Sequence, residues 1–237
     1  LDPTVLAQMQ TADLAALTTS AVTGLSTDQV AALSSAHIRA LTTAQLAGLT
    51  TAQIAAVSVA GVGNMTTAQV AALTTAQVVS LTTAQIVALT TAQVATLNTD
   101  QIQALTTNQV KAIETRDIAV LTTRQIGALT TSQVSAALTT DQIVALTTGQ
   151  IGALTTDQIQ SLTTNQVRNI ETRDVAALTT RQVGALTTNQ VAKLTTDQVA
   201  ALSTAAVAAL GTTQVVALVT EQVVALSTAQ AGALTTN

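Results

Sequence analysis

The sequence contains no cysteine, phenylalanine, tyrosine or tryptophan, and only one proline and one histidine. Without aromatic side chains the chain lacks the bulk that a deep globular core normally uses. Without cysteine it cannot form a disulfide scaffold. One histidine and no cysteine do not supply a set of nucleophile, base and acid. We therefore expect no enzymatic activity, no catalytic residue and no small-molecule substrate.

Charged residues are also scarce, with 8 Lys plus Arg against 12 Asp plus Glu and a net charge of -4. The basic stripe and stacking aromatics that bind nucleic acid are missing, so a nucleic-acid partner is not expected. No apolar run approaches the roughly 18 residues of a membrane span, so we expect no transmembrane segment. The glycines form no phosphate-binding motif and the acidic residues no calcium loop. We accordingly expect no cofactor and no metal site.

An eight-residue repeat dominates the sequence. Residues 41–48 read Leu-Thr-Thr-Ala-Gln-Leu-Ala-Gly, and we number these as positions 1 to 8. The octad recurs about 30 times, with one extra residue near 135–137, and the last octad is incomplete. Such strict recurrence predicts that residues 1–237 form a single continuous repeat array. No signal peptide is visible. Because the chain begins at a residue other than Met and the last octad is cut short, we expect the array to belong to a longer chain.

A longer repeat lies on top of the octads, because residues 97–129 resemble residues 154–186 at an offset of 57 residues. The two copies carry the densest charges of the chain. These residues are Glu114, Arg116, Asp117, Arg124 and their counterparts Glu171, Arg173, Asp174, Arg181. They are our candidate surface interaction patch, although such groups are more often solvated ion pairs worth about 0–1 kcal/mol each.

Each octad has the pattern of a helix start. Thr or Ser at position 2 and Gln at position 5 form a capping box, and the apolar residues at positions 1 and 6 are placed for a hydrophobic staple. Two deviant octads agree, since Pro3 falls at the first helical position and Gly211 at the cap. His37 replaces Gln at position 5, and we interpret it as an alternative cap residue and not as a metal ligand.

Other folds fit the period less well. In one continuous helix the Leu of each octad would drift by about 80° from the last, which leaves no face to bury. A β-solenoid remains the alternative, because Thr and Val favour strands, but Gly and Asn recur at no fixed position for its corners. We predict an all-α solenoid or superhelix of very short helices, one per octad. Its inner seam is Leu with Val or Ile, and positions 4 and 7 face outward.

The motif Leu-Thr-Thr-x-Gln-(Val/Ile)-x-Ala resembles Thr/Ala/Gln-rich repeats of large secreted bacterial surface proteins of the adhesin and haemolysin-like kind. The resemblance covers essentially the whole chain. It implies a secreted or cell-surface location and an extended structural role. The calcium-binding Gly/Asp nonapeptides that often accompany such proteins are missing, so calcium-dependent folding is not implied.

Three functional hypotheses follow. The first is a structural segment that forms a rod, spacer or filament by self-association or by contact with neighbouring segments of the same surface protein. The second is a protein- or peptide-binding solenoid that uses the rows at positions 4 and 7. The third is binding to ice or a crystal surface through the regular Thr rows, which a measurement of thermal hysteresis would test.

Overall fold

The computed structural model describes residues 2–234, and these residues form short helices with no strand among them. The predicted all-α class is therefore confirmed, and the β-solenoid alternative is excluded for this part of the chain. The helices have four to six residues, with one helix per octad. All helices in the described range are too short to cross a lipid bilayer.

The chain divides into two compact units, of which the first ends at Val120 and the second begins at Leu121. The helices of the first unit are α1 Pro3–Leu6, α2 Thr11–Ala16, α3 Thr19–Thr23, α4 Thr27–Ala31, α5 Ser35–Ala40, α6 Thr43–Gly48, α7 Thr51–Ala56, α8 Val59–Gly63, α9 Thr67–Ala72, α10 Thr75–Ser80, α11 Thr83–Val87, α12 Thr91–Thr96, α13 Thr99–Ala104, α14 Thr107–Ala112 and α15 Thr115–Ile118.

The second unit continues with the same kind of helix. Its elements are α16 Thr123–Ala128, the π-helix Gln133–Ala137, α17 Thr140–Ala145, α18 Thr148–Ala153, α19 Thr156–Ser161, α20 Thr164–Arg168, α21 Thr172–Val175, α22 Thr180–Ala185, α23 Thr188–Val191, α24 Thr196–Ala201, α25 Thr204–Ala208, α26 Thr212–Val216, α27 Thr220–Ala225 and α28 Thr228–Ala233.

Most of the described helices begin at the predicted capping boxes. In α6 the backbone N–H of Thr42 donates to Gln45 Oε1 at 2.7 Å, and the N–H of Gln45 donates to Thr42 Oγ1 at 3.1 Å. These two bonds satisfy N–H groups that a helix start otherwise leaves without partners. The deviant octads also behave as predicted. Pro3 is the first residue of α1 and Gly211 is the cap of α26.

Each six-residue helix ends because the position-1 residue of the next octad leaves the helical conformation. Leu49, for example, has extended backbone angles, while its N–H still donates to the Leu46 carbonyl at 3.1 Å. No described residue has a positive φ, so the sharp change of direction needs no glycine. The side chain of Leu49 turns inward and is buried, so the residue that ends one helix also contributes to the core.

Within each unit a helix packs against the helix three elements further along the chain. One turn of the stack therefore contains three helices, or 24 residues of regular sequence. Away from the two ends of the described chain, residues at position 6, such as Ile54 and Ile151, are fully buried, and residues at position 1, such as Leu49, are nearly so. The stacked helices approach closely, because a Cβ added to Gly63 would lie 2.9 Å from the carbonyl oxygen of Ala88. The predicted inner seam of Leu and Val or Ile is confirmed.

The one-residue insertion is absorbed by the π-helix. Its extra residue widens the last turn, so that the N–H of Leu138 donates to the Gln133 carbonyl five residues earlier at 3.1 Å. π-helices commonly arise in this way, from one residue added to an α-helix. The disturbance stays local, because Leu138 occupies position 1 and the octads that follow it keep their regular helices and caps.

Candidate functional site

The glutamine at position 5 is buried and serves two helices at once. Gln77 is 2% exposed, and its Oε1 accepts the N–H of Thr74 at 2.9 Å, which completes the cap of its own helix α10. Its Nε2 donates to the carbonyls of Leu46 at 2.9 Å, Ala47 at 3.2 Å and Leu49 at 2.7 Å. These carbonyls form the end of α6. One amide thus caps the start of one helix and the end of another.

We call this set of side chains the glutamine ladder. In the first unit its members include Gln45, Gln53, Gln69, Gln77, Gln85, Gln93, Gln101 and Gln109. In the second unit its members include Gln150, Gln158, Gln166, Gln182, Gln190, Gln198, Gln214, Gln222 and Gln230. Each donates to a position-1 carbonyl 28 or 29 residues earlier, at 2.5–2.9 Å.

The ladder solves a problem that short helices create. A helix leaves its first four N–H groups and last four carbonyls without internal partners, so a six-residue helix has almost only such groups. A buried polar group without a partner costs about 1–3 kcal/mol. Among the described residues, every buried side-chain nitrogen or oxygen has a partner. The ladder glutamines are therefore themselves satisfied, and each supplies a partner to carbonyls at the end of another helix.

His37 takes the place of glutamine in α5 and reproduces both of its bonds. The N–H of Ser34 can only donate, so it donates to Nδ1 at 3.3 Å, and the Met9 carbonyl can only accept, so Nε2 donates to it at 2.8 Å. These partners fit the tautomer that carries its proton on Nε2. The interpretation of His37 as a cap residue is confirmed. The described residues contain no group of three side chains suited to holding a metal ion.

Asp117 and Asp174 also stand at position 5, but their side chains accept hydrogen bonds from another helix instead of donating them. Both are buried, and each accepts a hydroxyl instead of donating to a carbonyl. Asp117 Oδ1 accepts Thr91 Oγ1 at 2.8 Å, and Asp174 Oδ1 accepts Thr148 Oγ1 at 2.5 Å. The cap residue of α15, Glu114, makes no side-chain bond to the helix start, and neither does the cap residue of α21. In each copy of the 57-residue repeat, one octad therefore contributes no glutamine to the ladder.

Arginines at position 4 cover these aspartates. Arg116 lies 2.5 Å from Glu114 (Nη2 to Oε2) and 3.7 Å from Asp117 (Nε to Oδ2), and its side chain is 66% exposed. In the second copy Arg173 Nε lies 2.9 Å from Glu171 Oε2 and 3.3 Å from Asp174 Oδ1. Glu114, Arg116 and Asp117 thus form the same kind of small cluster as Glu171, Arg173 and Asp174. The pairs with Glu114 and Glu171 are exposed, so each contributes about 0–1 kcal/mol.

The remaining residues of the predicted patch lie apart from these ion pairs. Arg124 is an exposed residue of α16, and Arg181 is an exposed residue of α22. Neither forms an ion pair with another described residue. Arg181 lies on a concavity of about 340 Å³ that Gly152, Thr155 and Gln182 also line. Whether the eight residues bind a partner stays a prediction.

A second, more open concavity lies beside the cluster of the second unit. It has a volume of about 480 Å³, and its lining includes Arg168, Glu171, Arg173 and Asp197. Two cations and two anions meet there, so the concavity carries no net charge from these groups. It is a shallow polar surface and not an enclosed pocket.

A family model described as the ALTTAQ repeat matches the chain along nearly all of its length. The matched stretches are residues 6–43, 31–59, 54–83, 83–112, 110–148, 136–164, 167–204 and 204–236. The chain belongs to the ALTTAQ repeat family. A search of curated proteins found no match.

The six letters of ALTTAQ run from position 8 of one octad to position 5 of the next. They therefore contain the close-packing Ala, the seam Leu, the capping Thr and the ladder Gln. The predicted resemblance to a Thr-rich repeat is confirmed at this level, as a family of repeat proteins. The ALTTAQ match carries no information on secretion or on the cell surface.

The sequence analysis did not predict that the ALTTAQ glutamine donates hydrogen bonds to another helix, although the absence of glutamate at position 5 pointed to it. A capping box accepts Glu as readily as Gln. Glutamate, however, occurs in this chain only as Glu114, Glu171 and Glu221, and never at position 5. A capping box alone would not exclude glutamate from position 5. Glutamate is excluded by the need to donate, since a carboxylate has no N–H for the carbonyls of another helix.

Proposed function

We propose that this ALTTAQ repeat chain is a structural repeat segment that acts as a rod or spacer of a bacterial extracellular assembly. The observation that carries the proposal is the stacking itself. Within each unit successive turns are joined by the same buried seam and the same glutamine ladder. Nearest-neighbour stacking of this kind permits any number of repeats, since each turn needs only the turns beside it.

The chemistry of the side chains supports a role without catalysis. Both ring nitrogens of His37, the only histidine, are used to hold the stack. The charged residues are few, and the rest of the exposed surface is mainly neutral, with many Thr and Ala. The proposed secreted or cell-surface location rests on the resemblance to repeats of bacterial surface proteins, and a chain without cysteine is compatible with it.

The spacer proposal predicts a length that grows in fixed steps. Residues 178–201 form one full turn with three ladder glutamines, and one, two or three extra copies can be inserted after Ala201. Helices stack about 8–10 Å apart, so the maximum dimension from small-angle X-ray scattering should rise by about that amount per copy. A compact globule would instead enlarge its radius by only about 4% per copy.

The matched control inserts the same 24 residues with Gln182, Gln190 and Gln198 each changed to Glu. This insert keeps the length and the apolar seam but loses the ladder donors. We expect it to lower the melting temperature and to abolish the regular step. If the unmodified copies gave no constant increment, the spacer proposal would be rejected.

A second candidate function is a protein- or peptide-binding module. The observation that favours it is the polar concavity beside Glu171 and Arg173, next to the repeated charged clusters. Replacing Arg116, Arg124, Arg173 and Arg181 with Ala should leave the melting temperature within a few degrees of the original, since exposed charges contribute little. A peptide library, screened against both proteins, should then yield ligands for the original chain only. Equal binding to both would reject this function.

A further inference from the structure

Each turn of the stack is held by the turns beside it. In the first unit α10 packs against α7 of the turn before and against α13 of the turn after. The ladder has a similar reach, because its bonds to position-1 carbonyls span 28 or 29 residues, which is little more than one turn. The sequence contains no cysteine, so no disulfide joins distant turns. One turn can therefore leave the stack by breaking contacts with its two neighbours, while the turns beyond them stay folded.

The glutamine ladder connects two successive turns at separate points along the chain. Between residues 41–64 and residues 65–88, the bonds to position-1 carbonyls run from Gln69 to Leu41 at 2.6 Å, from Gln77 to Leu49 at 2.7 Å and from Gln85 to Val57 at 2.6 Å. The three donors are eight residues apart, so tension along the chain acts on one of them at a time. Two turns that are pulled apart should therefore separate octad by octad.

An octad that has left the stack cannot keep its helix. The helices have four to six residues, and isolated helices shorter than about 12–15 residues are marginal in water. A released turn of 24 residues can therefore extend to about 80 Å, since each residue spans at most about 3.3–3.6 Å. In the stack the same turn occupies about 8–10 Å. Release of one turn should thus lengthen the chain by about 70 Å.

The released turn can return by forming local contacts. The Leu49 carbonyl that accepts Gln77 belongs to the end of α6, so it stays in place while the turn of α10 is free. The capping box of the returning α10 joins Thr74 and Gln77, which are three residues apart. The contacts to be restored are thus short in sequence separation, and this favours rapid refolding when the tension is removed.

We propose that the stack is also a reversible extensible tether, which keeps its length at rest and releases its turns one at a time under tension. This function goes beyond the proposed spacer role, because it concerns the stack under force. The two proposals can fail independently. A stack can add a constant length per inserted turn in the scattering experiment and still open all at once when it is pulled.

Cysteine handles inside the first unit test the proposal, because the chain has no competing thiol. Ala44, Ala68 and Ala92 are exposed residues at position 4 of octads that are one turn apart. Two full-length proteins, Ala44→Cys with Ala68→Cys and Ala44→Cys with Ala92→Cys, can each be held between two DNA handles in optical tweezers. The one-turn span should lengthen by about 70 Å in one release, and the two-turn span in two successive releases of this size.

The order of the two releases is also expected. The first should need the higher force, because the first turn has to leave neighbours on both sides, whereas the second turn has then lost one neighbour. Relaxing the tension should restore the original length. A single release of about 140 Å from the two-turn span would overturn the proposal, as would a length that is not recovered on relaxation.

A change of Gln77 to Met in the two-turn protein tests whether the ladder holds the turns together. Methionine is similar in size but has no N–H group, so the carbonyls of Leu46 and Leu49 lose their donor. At a fixed force the first release should be faster by on the order of tenfold or more, with the same length per release. The matched control Val79→Met alters an exposed residue of the same helix α10 and should change the rate by less than about twofold. Equal rates for Gln77→Met and Val79→Met would overturn this role of the ladder.

Discussion

Replacing Gln190 with Glu is expected to lower the free energy of unfolding by about 3–5 kcal/mol at pH 7, as a buried charge without compensation does. Gln190 is 1% exposed. Its Oε1 accepts the N–H of Thr187 at 2.7 Å, and its Nε2 donates to the carbonyls of Ile159 and Leu162 at 2.8 and 2.7 Å. A carboxylate can still accept the N–H of Thr187, but it has no N–H group to donate to the carbonyls of Ile159 and Leu162. It also places a negative charge against these carbonyl oxygens at the end of α19.

The pH dependence of the Gln190→Glu variant has a definite sign. Burial beside carbonyl oxygens should raise the pKa of the introduced carboxyl above its value of about 4.3 in the unfolded chain. The protonated form can donate one hydrogen bond, so the loss of stability should be smallest below about pH 4.3 and should grow as the pH rises through the folded-state pKa. Urea unfolding at pH 4 and pH 7, followed by circular dichroism, measures both free energies of unfolding.

The matched control is Gln160→Glu, the same change at an exposed position-7 residue of α19. It should alter the free energy of unfolding by less than about 0.5 kcal/mol at either pH. If Gln190→Glu were as mild as Gln160→Glu, the ladder would contribute nothing beyond the cap of its own helix.

The double change Glu114→Thr and Asp117→Gln is expected to stabilise the first unit by about 2–3 kcal/mol. Thr at the cap should add about 1 kcal/mol, because Glu114 makes no capping bond. Gln at position 5 should supply a donor to the Leu89 carbonyl, which accepts no hydrogen bond from other described residues, and a satisfied buried acceptor is worth about 1–3 kcal/mol. Thr91 loses its bond to Asp117 but is only partly buried and can bind water.

The second copy provides the internal control for this change. Glu171→Thr with Asp174→Gln alters an equivalent cluster and should give a gain of similar size. Thermal melting of both variants, together with amide hydrogen exchange in α15 and α21, locates the gain. A loss of stability in both would mean that the bonds from Thr91 and Thr148 to the buried aspartates outweigh the missing rung.

The parts of the fold that the sequence predicted depend on residues close together in the chain. Thr42 and Gln45 are three residues apart, so their capping box is visible in any one octad. Pro3 at the first helical position is likewise a local signal. The number of helices per turn is not local, because it depends on contacts such as the bond from Gln77 to Leu49, 28 residues earlier. Every octad has the same pattern, so no octad indicates which of the others it will contact.

The charged clusters also depend on contacts between octads that a single octad does not reveal. The sequence located Glu114, Arg116 and Asp117 and indicated a solvated surface group. Position 5 is the buried row, however, so Asp117 lies beneath Arg116 and only the arginine is well exposed. The burial of position 5 follows from the ladder, which a single octad does not reveal. The extra residue near 135–137 was located correctly, but its accommodation as a π-helix depends on the hydrogen bond between Leu138 and Gln133.

The direction of the ladder has a consequence for the way the chain is made. Each glutamine donates backward, to a carbonyl 28 or 29 residues nearer the N-terminus. During synthesis the acceptor is therefore always in place before its donor emerges, and a new turn needs only the turn before it. Short sequence separations of this kind favour rapid folding. The turns can thus fold one after another while the ribosome is still translating. No turn has to wait for a segment that is synthesised much later.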